Sequence, residues 1–268
     1  MRRIILEQSR RANVGHIGSC LCVVEILSAV YGNVLRAESP NDPDRDRFIL
    51  SKGHAGLALY AALVLRGWLE EAALRTFCED NTLLAVHPVV ELPGVDFSSG
   101  SLGQGLGVAC GAALAARLQG SHRRAFCLIS DGECNEGSVW EAAMFAAQHR
   151  LSNLQVIVDV NGQQALGRTR DIMNLSNLAE RWRAFGWRTS EVDGHSVAEL
   201  ADALSASGAG DAPHAILART VFGRGVSYME QGIPVTQTHL PVQPMNWHYL
   251  PMSEHEYRLA LEELERSS

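Results

Sequence analysis

The chain has 268 residues, 46% hydrophobic and 20% charged, and carries a net charge of −7. That length buries a full core as one α/β domain with a tail, and the acidic balance argues against nucleic acid as the main partner. No apolar run approaches the roughly 18 residues of a membrane span, and Met1-Arg2-Arg3 leads into an amphipathic helix without a signal-peptide core, so neither a span nor an export signal is expected.

Residues 2–12 read as a helix, broken by Gly15-His16-Ile17-Gly18-Ser19, with Ser19 placed to cap a second helix over 20–36. A polar loop over Asn41 to Asp46 follows, and Ser51-Lys52-Gly53-His54 opens a helix over 55–66. Residues 81–100 carry Pro88, Pro93 and several glycines and read as irregular. The helix over 102–119 is rich in Ala and Gly, which permits close packing and places it at the centre of the fold. From 125 the pattern alternates: strand 125–129, helix 137–149, strand 154–160, helix 176–185, strand 187–192, helix 196–206, strand 214–220. This alternation implies an α/β fold, a doubly wound and mostly parallel sheet with helices on both faces. Four prolines keep 231–251 extended or turning, and with Trp247 and Tyr249 that segment is a candidate cover or partner contact. A polar helix over 253–266 closes the chain. The expected division is 1–230 as the ligand-binding domain and 231–268 as a segment packed on it. Six cysteines lie mostly in apolar or helical stretches; Cys20 and Cys22 face different ways on a helix and form no ligand pair. They read as reduced thiols of a cytoplasmic protein.

The stretch with most chemistry is Ser130-Asp131-Gly132-Glu133-Cys134-Asn135-Glu136-Gly137, followed thirty positions after Asp131 by Asn161 in Val158-Asp159-Val160-Asn161-Gly162. Apolar runs precede both, so a carboxylate and an amide leave the carboxyl ends of two buried strands, where open α/β sheets hold their ligands. Hard oxygen donors there suit Mg²⁺, which completes its octahedron with phosphate and water. The pair reads as a metal-bridged diphosphate site, although an Asp-Gly pair by itself is more often a turn.

Together with Gly15-His16-Ile17-Gly18, Ser51-Lys52-Gly53-His54, His87-Pro88, Gly100-Ser101-Leu102-Gly103-Gln104-Gly105 and Trp247-His248, these residues stand in the order seen in transketolases. The chain resembles the separate amino-terminal, thiamine diphosphate-binding subunit of enzymes split between two chains. Ser130 departs from the family's usual Gly, and Ile17 stands where many relatives have Pro. The resemblance implies thiamine diphosphate and Mg²⁺ as cofactors, with Asp131, Asn161 and the backbone carbonyl of Gln163 as metal ligands. It implies that Gly132, Gly100 and Leu102 approach the cofactor, that His54 contacts its diphosphate, and that His16, His87 and His248 surround the reactive carbon. Glu136 matches a carboxylate of a proton-linked network at the subunit contact, and so enters both the catalytic and the cofactor set. Ketol transfer moves protons off and onto sugar hydroxyls near neutral pH, the work for which histidine is suited. The glutamate that activates the cofactor belongs to a pyrimidine-binding domain beyond this chain. A carboxyl-terminal partner subunit, an α2β2 assembly and sugar or sugar-phosphate substrates are therefore implied.

Plainer readings stand beside these. His16, His54 and His87 could cap turns, and His195 in Asp193-Gly194-His195 reads as a strand-to-helix turn outside the site. Glu141 is not an i, i+4 match to Glu136 and reads as a solvated helix carboxylate. Gly103-Gln104-Gly105-Leu106-Gly107 completes no G-x-G-x-x-G and follows a loop rather than a strand. Two other functions remain open at this stage: an alpha-type subunit of a 2-oxo acid dehydrogenase, and a non-catalytic homologue that binds a partner.

Overall fold

The computed structural model of the chain describes residues 1–206, 210–230 and 247–266. It opens with α1 (Arg2–Ala12), α2 (Ile17–Leu21) and α3 (Val24–Ala29), the last running into a π turn over Val30–Val34. The single helix expected over 20–36 is thus divided. Ser19 lies inside α2 rather than capping a helix, and the break at Cys22 and Val23 sets the Cys22 thiol 3.2 Å from Asp159 Oδ2. Against expectation, Ile17–Val34 is apolar and long enough to cross a membrane by length and composition, yet 78% of it is buried inside the fold. It is core.

A strand that periodicity does not mark follows, β1 (Arg47–Leu50), and then α4 (Gly56–Leu65) and α5 (Gly105–Leu118). Four residues are too few to register a period against the polar loop before them. The alternation then runs much as its apolar pattern dictates: β2 (Ala125–Ser130), α6 (Gly137–Gln148), β3 (Leu154–Val160), a two-residue hairpin of β4 (Gln163–Gln164) and β5 (Gly167–Arg168), α7 (Thr169–Ile172), α8 (Leu178–Ala184), β6 (Arg188–Asp193), α9 (Val197–Ser205) and β7 (His214–Arg219). Two further helices close it, α10 (Ser227–Glu230) and α11 (Glu254–Arg266). The main sheet has the order β1-β2-β3-β7-β6 with every pairing parallel. Most of the Pro-containing segment expected over 231–251 lies outside the described residues.

Strand side chains alternate between two cores, as the pleat requires. Phe48, Leu50, Phe126, Leu128 and Ile157 meet the helices of the first half and α9; Ile49, Cys127, Ile129, Val156 and Val158 meet α5, α6 and α8. Helix α11 rejoins the first core through Ala260 and pairs with α1 through Arg3–Glu265 and Arg10–Glu254. Helix α5 corrects one expectation. It packs on β1 and β2, but the side bearing Gly107 and Gly111 faces outward, where an added Cβ at either position would touch nothing among the described residues.

The edge strand β1 is held by two carboxylates rather than by its own length. Asp46, fully buried, accepts from the backbone and guanidinium of both Arg36 and Arg124, while Asp96 accepts from Arg45 and from the amide of Phe48. Burial alone would raise the Asp46 pKa, but the arginine hydrogen bonds outweigh it and hold it below the ordinary value. Its contribution is therefore present above the usual carboxylate range and lost as the pH falls through the lowered pKa. Asp46→Asn is expected to cost about 2–3 kcal/mol in urea unfolding, since Arg36 can turn to solvent when its partner goes. A loss under about 0.5 kcal/mol, the scatter of an ordinary surface change, would show that β1 does not depend on it.

Candidate active site

The ends of β2 and β3 are stitched together by Asp131. Its Oδ1 accepts from the Gly132 amide at 2.7 Å, and its Oδ2 from the Gly162 amide at 2.9 Å and the Thr169 hydroxyl at 3.0 Å. Burial and the nearby Asp159 push its pKa up to about 6 despite these donors. A carboxylate raised in this way gains from a cation placed beside it. Asn161, at the end of β3, gives its amide nitrogen to Asp159 Oδ2 at 2.8 Å, so its oxygen turns the other way, accepting from the Gln163 amide at 2.9 Å. Two hard oxygen donors from adjacent strand ends are thus set side by side.

Beneath them lies an ion pair that the sequence does not announce. Lys52 and Asp159 are fully buried and bonded to each other, and Asp159 also accepts from the Thr220 hydroxyl, the Cys22 thiol and Asn161. Burial would neutralise both groups, but their attraction outweighs it, raising the Lys52 pKa and lowering that of Asp159. Glu133, also fully buried, ties the glycine turn to the same strand ends. It accepts from the Ser51 hydroxyl, from the Gly103 amide at 2.8 Å and from the Ser130 amide at 3.3 Å. Gly103 has φ +86°, and a Cβ there would crowd Ser138 and Glu136, so this turn requires glycine.

A cavity of about 480 Å³ opens over these strand ends. His16, His54, His87 and His248 line it with Gly100, Leu102, Gly132, Asn161 and Gln163, so the structure brings most of the expected residues together. Ring centroids of His16 lie 5.4 Å from His54, 6.2 Å from His87 and 5.8 Å from His248. His16 stands in the left-handed region at φ +60°, a backbone strain at the head of α2 and of a kind that gathers at functional sites. Burial, with neighbouring groups second, holds His16 and His248 down at about 4 and lowers His54, and burial alone lowers His87. All four are neutral near pH 7.

Asp131 does not line this cavity, though its neighbours Ser130 and Gly132 do; it lines an adjoining one with Gly162 and Thr169. Glu136 does not join the histidines: it is placed at the start of α6, against the far side of Gly103. Three further cavity residues gain no site role from the sequence, although Tyr249 stands in the segment read as a candidate cover or partner contact. Gln164 packs its side chain on Gly132, Tyr249 lies 5.4 Å from His16 and 5.0 Å from His248, and Lys52 stands out in sequence only as part of its motif. Phe222, stacked 5.9 Å from His248 at 11°, has no motif around it at all.

The fold and site define a domain of the open parallel α/β type, with a histidine-lined cavity at the carboxyl ends of its strands. Residues 1–240 match the family described as the thiamine diphosphate binding domain of transketolase. The chain is 37% identical over 270 residues to the 6-deoxy-6-sulfo-D-fructose transketolase subunit SqwG of Clostridium sp. (strain MSTE9), covering 99% of this chain and 94% of that protein. It is 39% identical over 267 residues to an apulose-4-phosphate transketolase subunit of Actinobacillus succinogenes, covering 98% and 92%. The transketolase of Campylobacter jejuni superposes with a TM-score of 0.86 at 27% identity, over 98% of this chain but 41% of that one. The chain belongs to the transketolase family, as an enzyme subunit of the ketol-transferring type that corresponds to the thiamine diphosphate-binding part of a whole transketolase. The dehydrogenase-subunit alternative is set aside.

Histidines held neutral in the fold make stability depend on pH. Between about 6.5 and 4 the unfolded chain takes up protons that folded His16 and His248 refuse, so stability falls as the pH is lowered through that window. The urea midpoint is expected to drop between about pH 7 and about pH 5, and His16→Asn to flatten that slope by up to one proton's share. An unchanged slope in the variant would mean that His16 titrates alike in both states.

Proposed function

We propose that this chain binds thiamine diphosphate and Mg²⁺ as the amino-terminal half of a two-chain ketol transferase, and that a partner carrying the pyrimidine-binding domain completes its active site. The observation that carries the reading is the convergence of four histidines on one cavity beside Asp131 and Asn161. Asp131, Asn161 and the Gln163 carbonyl would hold the metal; Gly132, Gly100, Leu102 and His54 would meet the cofactor. The residues fit the group by their own chemistry. They offer oxygen donors at two strand ends, a buried carboxyl in want of positive charge, and buried polar atoms without a hydrogen-bond partner at His16 Nδ1, His248 Nδ1, Gln163 Oε1 and Gln164 Nε2.

Bound there, the cofactor supplies the electron sink for cleavage of a carbon–carbon bond. The rest falls to the chain. Neutral imidazoles at His16, His87 and His248 accept a proton from a sugar hydroxyl and return one to it. Among the described residues lining the cavity, Lys52 is the one Lys or Arg, and its charge is taken up by Asp159. Recognition of an anionic sugar terminus therefore falls to the partner. The relatives named for 6-deoxy-6-sulfo-D-fructose and apulose 4-phosphate support an anionic ketose as donor. Exposed Val108 and Leu118 on α5, and Met144 and Phe145 on α6, support a face that the partner covers, with two such pairs forming α2β2. Glu136, at the N-terminus of α6 outside the cavity, would take its place at the subunit contact. We place the protein in the cytoplasm, where its six free thiols, five of them buried, stay reduced.

Asp131→Ala is expected to weaken cofactor retention by the complex about 10–100-fold and to lower activity with it. Unchanged retention would put the metal elsewhere. Donor-dependent carbanion trapping by an external oxidant is expected only when this chain, its partner, Mg²⁺ and thiamine diphosphate are combined. Turnover by the purified chain alone would refute the two-chain site, and cofactor binding without any signal across a panel of ketoses would favour a non-catalytic homologue.

A further inference from the structure

We propose that His195, outside the cavity, is a positioning residue that sets His248 and His16 through Val221 and Phe222; the inference rests on the ketol-transfer reading of that cavity. His195 occupies the turn between β6 and α9, with its amide on Asp193 Oδ1 at 2.9 Å, as a strand-to-helix turn requires. Its ring does more. The Val221 amide donates to Nε2 at 2.9 Å, so that nitrogen carries a lone pair, and the proton of the neutral ring is on Nδ1, 2.9 Å from Glu25 Oε2. Glu25, on α3, is gripped in turn by both terminal nitrogens of Arg2, at 2.6 and 3.0 Å. One tautomer satisfies every partner; the other would set an N–H against an N–H.

This bridge acts where the sheet no longer holds the chain. The β7 ladder ends at Arg219, the Thr220 amide still reaches Val160 O, and the next amide goes to His195. Phe222 follows at once, fully buried, with its ring nearly parallel to His248. The same ring lies against Gly18 in the first turn of α2: a Cβ at Gly18 would collide with it, and the Gly223 amide donates to Gly18 O at 3.1 Å. Gly18 is two residues past His16, and its own amide faces Trp247 O, one residue before His248. Phe222 is therefore a floor shared by the two histidines, and His195 sets its height.

The test separates the two ends of the bridge. His195→Gln can place an amide oxygen where Nε2 stood and accept from Val221; His195→Asn reaches Glu25 but not Val221. In the complex with its partner, thiamine diphosphate and Mg²⁺, H195N is expected to lower kcat about tenfold with cofactor affinity within about twofold, and H195Q to stay within about threefold of the parent. On the full chain with ¹³C-labelled histidine, H195N is expected to move the His248 ring resonance and H195Q to leave it in place. Identical behaviour of the two variants, or a His248 signal unmoved in H195N, overturns the proposal. An inactive parent complex would overturn the ketol-transfer reading instead, and the resonance would still decide whether His195 positions His248.

Discussion

Everything in this site hangs on the buried ion pair of Lys52 and Asp159. A lysine and an aspartate taken wholly out of water cost several kcal/mol each unless every remaining lone pair and proton is used. Asp159 uses its own fully: it also accepts from Thr220, Cys22 and Asn161. Its four partners come from four different stretches: the end of β1, the break between α2 and α3, the end of β7, and the Asn161 turn. One carboxylate therefore holds together the chain segments that form the cavity floor. It also orients Asn161, because an amide that gives its nitrogen to Asp159 presents its oxygen elsewhere.

The electrostatics of the cavity follow from that neutralisation. With Lys52 cancelled from below, the described residues of the wall offer no free Lys or Arg, and four histidines crowd together in a partly dry space where protonating one would penalise the next. They rest as neutral acceptors. Glu133 plays the corresponding part on the other side, using a buried carboxylate to draw Ser51, the Gly103 turn and Ser130 into one knot. Both networks use charge to place the backbone around the cavity.

The described fold is also unfinished on one side. Helix α5 turns Gly107 and Gly111 outward, and Val108 and Leu118 of α5 and Met144 and Phe145 of α6 are also exposed. Within one compact domain such small residues have nothing to approach. The chain spans nearly the whole of the separate subunits it resembles but only 41% of the Campylobacter jejuni transketolase.

The sequence by itself anticipated three strands and three helices from 125 to 206 and the strand that ends at Arg219, because β2, β3 and β7 are buried and largely apolar, but not the short β4–β5 hairpin or α7, which are too brief to show a period. Through the order of their motifs and its resemblance to transketolases, the sequence also pointed to His16, His54, His87, His248, Asn161 and Gly132, which the fold brings to one cavity. The tertiary structure alone decided the rest. Strand β1 is four residues long and depends on Asp46 and Asp96, whose arginine partners include Arg124, 78 positions from Asp46. The pairing of Lys52 with Asp159 spans 107 positions, and that of His195 with Glu25 spans 170. No periodicity or spacing reports a contact of that separation, because what makes a lysine an ion-pair partner or a histidine a brace is the group brought against it when the sheet closes.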